Sequence, residues 1–332
     1  MNRAKKTVSI QDVAERAGVS IATVSRALNS KSKVNSETYK KIMDAVRTIG
    51  YAPIRTPNEN PSNIILVCGS ELLTDFINGV RDTAVENGYE VICWPTSKNS
   101  PITSSFDSIL SFYKTINPAG ILLNDPCSPI NLAKLNRQIP VIQCGEHNCP
   151  DVPYISLDNV MVGKTAANFF AYKGFKKVAY IGASPKPRRD TDINLRESFI
   201  SACKTLDLEI HRSWIVQTPE VSENLALNAV MQILKSPQKP EAIFTYSGKY
   251  GAAAIQAAKK CGLKVPFDVS ILAYETAGIC CMTTPTLTSI SKPIGKMGVI
   301  ACEMLLHRIR NRTQDVVSSL VETELIIRES TR

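Results

Sequence analysis

The chain has 332 residues, which is enough for two or three compact units that each bury a core without disulfides or metals. It carries 39 Lys and Arg against 30 Asp and Glu, and no apolar stretch is long enough to cross a bilayer, so we expect a cytoplasmic protein without membrane contact. Its ten Cys form no CxxC pair and its three His lie far apart, so we predict reduced core thiols, no metal site and no cofactor.

Most of the net positive charge lies near the N-terminus. The first 57 residues contain eleven Lys or Arg and four acidic residues, which gives +7 of the total +9. A small, strongly basic segment ahead of a nearly neutral one is typical of contact with a polyanion such as nucleic acid. On charge alone, a solvated basic surface is an equally good interpretation.

Three short helices are predicted within this basic segment. Ser9, Ser20 and Asn35 each precede an apolar-periodic stretch, where their side chains can cap a helix. Gly18 supplies the permissive backbone for a tight turn between the first two helices, which makes a helix-turn-helix, and the second helix is expected to run to about residue 28. The third helix is expected to end at Gly50. Its apolar stripe, which closes a small core, is Tyr39, Ile42, Met43, Val46 and Ile49.

The text of residues 9–53, SIQDVAERAGVSIATVSRALNSKSKVNSETYKKIMDAVRTIGYAP, closely resembles the headpiece of the LacI/GalR family of bacterial transcription regulators. The resemblance implies that the second helix lies in the major groove of double-stranded DNA, with its first residues toward the base edges. Ile21 and Ala22 are then the variable readers, whose apolar side chains suit thymine methyl groups. Arg26, one turn later, is expected to contact a guanine, with a phosphate contact as the alternative. The residues expected to position the helix on phosphates are Ser20, Thr23, Ser25, Asn29 and Lys33.

The segment after the headpiece departs from the family pattern. The resemblance implies a short helix here that inserts a leucine into the minor groove of the operator. Residues 54–62 instead contain Pro57 and Pro61 and no leucine. Because two closely spaced prolines disfavour a helix, we predict an extended linker, which puts family-style kinking of the operator in question.

From Asn63 onward, short apolar runs alternate with amphipathic segments of helical period. This alternation is typical of an α/β fold with doubly wound parallel sheets, and the number of strands suits two lobes. The predicted strands are Ile64 to Cys68, Glu90 to Trp94, Gly120 to Leu123, Val141 to Cys144, Val178 to Ile181, Ala242 to Tyr246 and Ser270 to Tyr274.

The family resemblance continues through this part, for example in SLDNVMVGKTAANFF at 156–170 and GLKVPFDVSILAYE at 262–275. It implies a periplasmic-binding-protein-like core whose chain crosses between the lobes near 157, 290 and 320. The predicted domains are a helix-turn-helix DNA-binding headpiece at 1–53, a linker at 54–62 and a two-lobed effector-binding and dimerisation domain at 63–332. Its first lobe is expected at about 63–157 plus 291–320, and its second at about 158–290 plus 321–332.

A cleft between two such lobes, at the carboxyl ends of the strands, is where a small effector is expected to bind. The family pattern is poorly kept here, because Gly248 and Glu275 both stand where an Asp is common. The usual effector arginine falls on Leu195, and Arg196 follows it; one residue on a helix is about 100° of rotation, so Arg196 either faces the cleft or turns away. The candidate effector contacts are Leu72, Leu73, Arg196, Gly248 and Glu275.

These features together predict a transcriptional regulator, in the first instance a repressor, that binds a palindromic operator as a homodimer or tetramer. The expected effector is a sugar or related metabolite, or an anionic one. Two alternatives are open: a cytosolic small-molecule-binding protein, and a regulator with a degenerate pocket that senses a partner protein or no ligand. An enzyme is not expected, because no GxGxxG follows a strand and Gly163-Lys164-Thr165 lacks the first glycine of a phosphate loop.

Overall fold

The computed structural model describes two compact units of the chain. The described residues are 10–29, 34–49, 62–69, 72–96, 115–125, 128–184, 190–275, 277–311 and 317–332. One unit contains the three N-terminal helices, and the other contains two β-sheets with their helices. Among the residues listed, no helix combines the length and the hydrophobicity that crossing a membrane requires.

The N-terminal unit consists of α1 (Ile10–Ala17), α2 (Ile21–Asn29) and α3 (Ser36–Ile49). Each helix contributes one fully buried β-branched side chain to its core, and three buried alanines fill the space between them. Burial of such side chains stabilises the unit by about 1.5–3 kcal/mol each. The buried β-branched residues are Val13, Val24 and Ile42.

Hydrogen bonds at the helix ends confirm two of the predicted caps. Ser20 Oγ accepts from the backbone N–H of Thr23 at 3.2 Å, and Asn35 Oδ1 accepts from the backbone N–H of Thr38 at 2.8 Å. Gly18 joins α1 to α2 with φ of +65°, a conformation that favours glycine because other residues pay a steric cost there. The predictions for Ser9, Gly50 and linker residues 54–61 lie outside the described residues.

The second unit is built from short strands alternating with helices. Its strands are β1 (Ile64–Gly69), β2 (Glu90–Pro95), β3 (Gly120–Leu123), β4 (Val141–Cys144), β5 (Tyr154–Leu157), β6 (Val178–Ala183), β7 (Ile215–Thr218), β8 (Ala242–Thr245), β9 (Ser270–Glu275), β10 (Thr288–Ser291), β11 (Ser319–Val321) and β12 (Leu325–Ile326). Its helices are α4 (Thr74–Glu86), α5 (Pro129–Asn136), α6 (Asn159–Tyr172), α7 (Asp190–Thr205), α8 (Glu223–Leu234), α9 (Gly248–Lys260), α10 (Ala277–Cys281) and α11 (Ile294–Asn311). Every strand predicted from the sequence is present, with ends that agree within two residues.

The strands form two separate sheets of six. The order in the first is β11-β5-β4-β3-β1-β2, and the order in the second is β12-β10-β9-β8-β6-β7. Neighbouring strands pair in parallel, except that β12 runs antiparallel to β10. The prediction of two lobes with parallel sheets is therefore confirmed, and the second lobe carries one antiparallel edge strand in addition.

The central strands are buried on both faces, as expected of parallel sheets that have helices on each side. β3 and β4 in the first sheet, and β6 and β8 in the second, have only buried residues. Their apolar runs were therefore readable in the sequence without any alternation of polar and apolar residues.

The chain passes between the two sheets at three places, each at the carboxyl end of a strand. β5 leads into α6 beside the second sheet, β10 leads into α11 beside the first, and the chain goes from β11 to β12. Ser291 Oγ accepts from the Glu324 N–H at 2.9 Å, and the Ser291 N–H donates to the Glu324 carbonyl oxygen at 2.7 Å, so two crossovers are bonded to each other. The carboxyl edges of both sheets therefore lie toward these crossovers.

Candidate functional site

The first candidate site is the exposed face of α2. Ile21 is 45% exposed, and Ala22 and Arg26 are exposed as well, whereas Val24 and Ala27 are buried in the headpiece core. At about 100° per residue, the three exposed positions fall within about 140° of one another, away from the buried pair. The helix thus presents two apolar side chains and one guanidinium on a single outward face.

Hydroxyl groups hold the start of α2 in place. The Ser20 and Thr23 hydroxyls are bonded to each other at 2.8 Å, in addition to the backbone cap that Ser20 makes. A phosphate contact by either residue would therefore have to share or replace this bond. The side chains of Ser25, Asn29 and Lys33, which the sequence also proposes as phosphate contacts, lie outside the described part of the chain.

The second candidate site lies at the carboxyl edge of the second sheet. Glu275 is the last residue of β9, and its Oε2 accepts a hydrogen bond from the N–H of Gly248, the first residue of α9, at 3.0 Å. The first N–H groups of a helix have no intrahelical acceptor and carry partial positive charge, so a carboxylate is favourable there. The fold thus brings together two predicted effector residues that lie 27 positions apart.

Three further residues surround this edge, and sequence reasoning missed them. The Tyr274 hydroxyl donates to Asn159 Oδ1 at 2.9 Å, and Lys292 Nζ lies 4.3 Å from the centre of the Tyr274 ring. The backbone N–H of Lys292 donates to the carbonyl oxygen of Glu275 at 3.2 Å. Each of the three lies at or just beyond the carboxyl end of a strand, and that shared position is the sequence signal that could have identified them.

Negative charge surrounds the Tyr274 hydroxyl. Burial is the main cause that raises the pKa of this hydroxyl, since the side chain is 4% exposed. The carboxylates that raise its pKa further are those of Asp158, Glu275 and Asp192. The phenol is therefore protonated at neutral pH and serves as the donor to Asn159.

Arg196 belongs to a separate set of contacts in the second lobe. Its side chain is 22% exposed, its Nη1 donates to Gln217 Oε1, and its Nε donates to Glu197 Oε1 at 3.0 Å. Its positive charge also lowers the pKa of the Tyr180 hydroxyl, although burial raises that pKa by more. The guanidinium is thus bound to groups on α7 and β7, and no described contact joins it to Glu275.

The two leucines predicted in the first lobe have different surroundings. Leu72 is half-buried and packs against the core of the first lobe, where its Cδ2 lies beside Gly69. Leu73 is 52% exposed and precedes α4 in an extended conformation. Of the two, Leu73 is the one with side-chain surface open to a ligand, and the role of either leucine in effector binding stays a prediction.

Comparison with known proteins gives matches along nearly the whole chain. Residues 9–54 match the model for bacterial regulatory proteins of the lacI family, and residues 167–331 match the model for a periplasmic binding protein-like domain. The transcriptional repressor CytR of Escherichia coli (strain K12) is 29% identical over 343 residues, covering 99% of both chains. The transcriptional repressor PurR of Escherichia coli O139:H28 is 30% identical over 335 residues, covering 97% of this chain and 96% of its own.

Solved structures share the same fold. A complex of the transcriptional regulator CelR with cellobiose has a TM-score of 0.70 at 21% identity and covers 97% of this chain and 99% of its own. The lac repressor dimer bound to operator and the anti-inducer ONPF has a TM-score of 0.70 at 20% identity, covering 98% of this chain and 99% of its own.

The three-helix headpiece, the exposed face of α2 and the two-lobed core define a helix-turn-helix, DNA-binding transcriptional regulator. Its second unit has the architecture of periplasmic binding proteins. The chain belongs to the LacI family of bacterial transcription regulators. The fold and the class of function predicted from the sequence are therefore confirmed.

Proposed function

We propose that this regulator is a cytoplasmic repressor that binds a palindromic operator as a homodimer and has no catalytic activity. A single headpiece meets only half a site, whereas a two-fold dimer meets a palindrome. Support comes from the full-length relatives CytR and PurR, which are named repressors, and from the lac repressor structure, which is a dimer on its operator.

The observation that carries the proposal is the composition of the outward face of α2. Ile21 and Ala22 are apolar readers that suit thymine methyl groups, and Arg26 can donate two hydrogen bonds to one guanine. The core residues Val24 and Ala27 fix the direction of this face, because they anchor the opposite side of the helix. A helix held in this way can enter the major groove without rearrangement.

We propose that a small polar effector, a sugar or related metabolite, controls DNA binding from the carboxyl edges of the two sheets. Glu275, Tyr274 and Asn159 supply acceptors and a donor at this edge of the second lobe. Ligands of related proteins support the class, since the CelR complex contains cellobiose. A ligand that contacts both lobes would shift the equilibrium between their arrangements, because it binds one arrangement more tightly than the other.

We also propose the domain division expected from the sequence, with a headpiece at 1–53, a linker at 54–62 and two lobes in the remainder. The boundary between the two compact units falls between Asn60 and Pro61, within the proposed linker. The strand bounds support lobes at about 63–157 plus 291–320 and about 158–290 plus 321–332, since β11 pairs in the first sheet and β12 in the second.

The test is in-vitro selection of bound DNA by the full chain, followed by affinity measurement on the selected site. We expect a palindromic site, and Arg26→Ala should weaken binding by about 1–3 kcal/mol and relax the preference at one base pair of each half-site. Lys41→Ala is the matched control, because it removes the same charge from an exposed position on α3. An asymmetric site, or loss of affinity in Arg26→Ala with unchanged base preference, would contradict the dimeric operator or the guanine contact, respectively.

A further inference from the structure

The Glu275 carboxylate occupies the end of α9 where a bound anion would otherwise be favourable. The N–H of Gly248 donates to Glu275 Oε2 at 3.0 Å, and Ser247 Oγ accepts from the Tyr250 N–H at 3.3 Å. Backbone donors at a helix N-terminus commonly bind phosphate or carboxylate groups of ligands. Here two of these donors already serve side chains of the protein itself.

The position of Glu275 depends on the absence of a side chain at residue 248. A Cβ at Gly248 would lie 2.5 Å from Glu275 Cγ and 2.4 Å from Ile279 Cγ2, both closer than real contacts allow. Gly248 is itself buried. The carboxylate is therefore packed into a space that only glycine leaves open, and its charge is held at this edge of the sheet.

The cations near this edge are engaged with the protein. Lys292 Nζ lies over the Tyr274 ring and donates to the carbonyl oxygen of Tyr246 at 3.4 Å. Arg196 is bound to Gln217 and Glu197. A second fixed negative charge lies close by, because the Asp158 carboxylate accepts from the Met161 N–H at 2.9 Å at the start of α6. An anionic ligand would thus meet fixed carboxylates here, and the repulsion is strong where water is partly excluded.

We propose that Glu275, held in place by Gly248, is a specificity residue that admits neutral or cationic effectors and rejects phosphorylated or carboxylated ones. This inference rests on the proposed effector site and narrows its ligand class to uncharged polyhydroxylated molecules or amines. Discrimination arises from repulsion of the wrong ligand rather than from extra attraction of the right one.

Inorganic phosphate is the probe that tests this inference. We would measure the Tm of the full chain in phosphate and in chloride at equal ionic strength, for the wild type, Glu275→Ala and Glu275→Gln. We expect no phosphate-specific shift for the wild type. Glu275→Ala should gain about 2–4 °C, because removal of the carboxylate exposes the α9 donors to the added anion. Glu275→Gln, which keeps the size of the side chain, should fall between the two and serves if Glu275→Ala does not fold.

Glu223→Ala is the matched control. Glu223 also lies in the first turn of a helix, α8, but it is an exposed residue paired with Lys249 at 3.4 Å. The inference is overturned if phosphate stabilises the wild type as much as Glu275→Ala, if neither variant of Glu275 gains a shift, or if Glu223→Ala gains an equal one. Because the readout needs no DNA, failure of this inference is distinguishable from failure of the proposed operator binding.

Discussion

Gly298 on α11 lies directly against the backbone of Phe76 on α4, so that a Cβ at position 298 would be 2.3 Å from the Phe76 carbonyl oxygen. Gly79 on α4 makes the same approach to Gly295, whose carbonyl oxygen would lie 2.3 Å from an added Cβ. The two helices therefore touch backbone to backbone. Since α11 follows the crossover from β10, this contact fixes the incoming chain against the first lobe.

Gly298→Ala is expected to destabilise the chain by about 1–3 kcal/mol, because rigid backbone atoms rather than a flexible side chain stand in the way of the methyl group. Urea unfolding measures the change. Gly278→Ala is the control, since nothing lies within 4 Å of an added Cβ there. That variant should be as stable as the wild type or slightly more stable, and equal losses in both variants would contradict the close helix contact.

Asn35→Ala should destabilise the headpiece by about 1 kcal/mol, because it removes the side-chain acceptor for the Thr38 N–H. Asn35→Ser retains a capping oxygen and should preserve most of the stability. Thermal unfolding followed by circular dichroism compares the two variants. Because Asn35 lies outside α2, DNA affinity should fall with headpiece stability while base preference stays the same, and a changed preference would count against a purely structural cap.

Ser330→Ala should cost about 1–3 kcal/mol, because it leaves two buried backbone groups without a partner. Ser330 has no exposed surface, and its Oγ donates to the Ile271 carbonyl oxygen at 2.6 Å and accepts from the Thr288 N–H at 2.8 Å. These bonds tie the last residues of the chain to β9 and β10. Ser236→Ala, at an exposed position, is the control for urea unfolding. A stability loss in Ser330→Ala no larger than the control would contradict the role of the C-terminal residues.

Stability should fall as the pH rises above about 9, because buried thiols stay protonated in the folded chain. Burial raises the pKa of Cys302 to about 12, and of Cys203 to about 12, from 9.0. The unfolded thiols ionise first, so their stabilisation is complete below pH 9.0 and is lost toward pH 12, at about 1.4 kcal/mol per pH unit for each thiol.

Unfolding free energies measured between pH 8 and 11 test this dependence. Cys302→Ala should reduce the slope of stability against pH, whereas Cys281→Ala, at an exposed position, should leave it unchanged. An identical slope in the wild type and Cys302→Ala would show that the Cys302 thiol does not contribute.

The headpiece could be predicted from the sequence almost completely. Ser20 and Asn35 cap helices through bonds to residues three positions along the chain, and Gly18 makes its turn within its own segment. Such interactions depend only on neighbouring residues, so the order of amino acids is sufficient to specify them.

The strands of the two lobes were also predictable, but their arrangement was not. Runs such as β3 and β8 are apolar because both faces are buried, and that property is visible in the sequence. β12 has only two residues, too few for any periodicity, and its antiparallel position follows from pairing with β10 in the second sheet.

The candidate effector site shows most clearly what the tertiary structure decided. The sequence alone placed Gly248 and Glu275 among the candidates, yet only the fold showed that they bind each other. Arg196 likewise turned out to be held by Gln217, on a neighbouring strand. Hydrophobicity and local capping belong to single residues and their neighbours, and so the sequence determined the helices, the strands and the class of protein. Which polar groups meet depends on the order of strands and on three crossovers, and these bring together residues that are far apart along the chain.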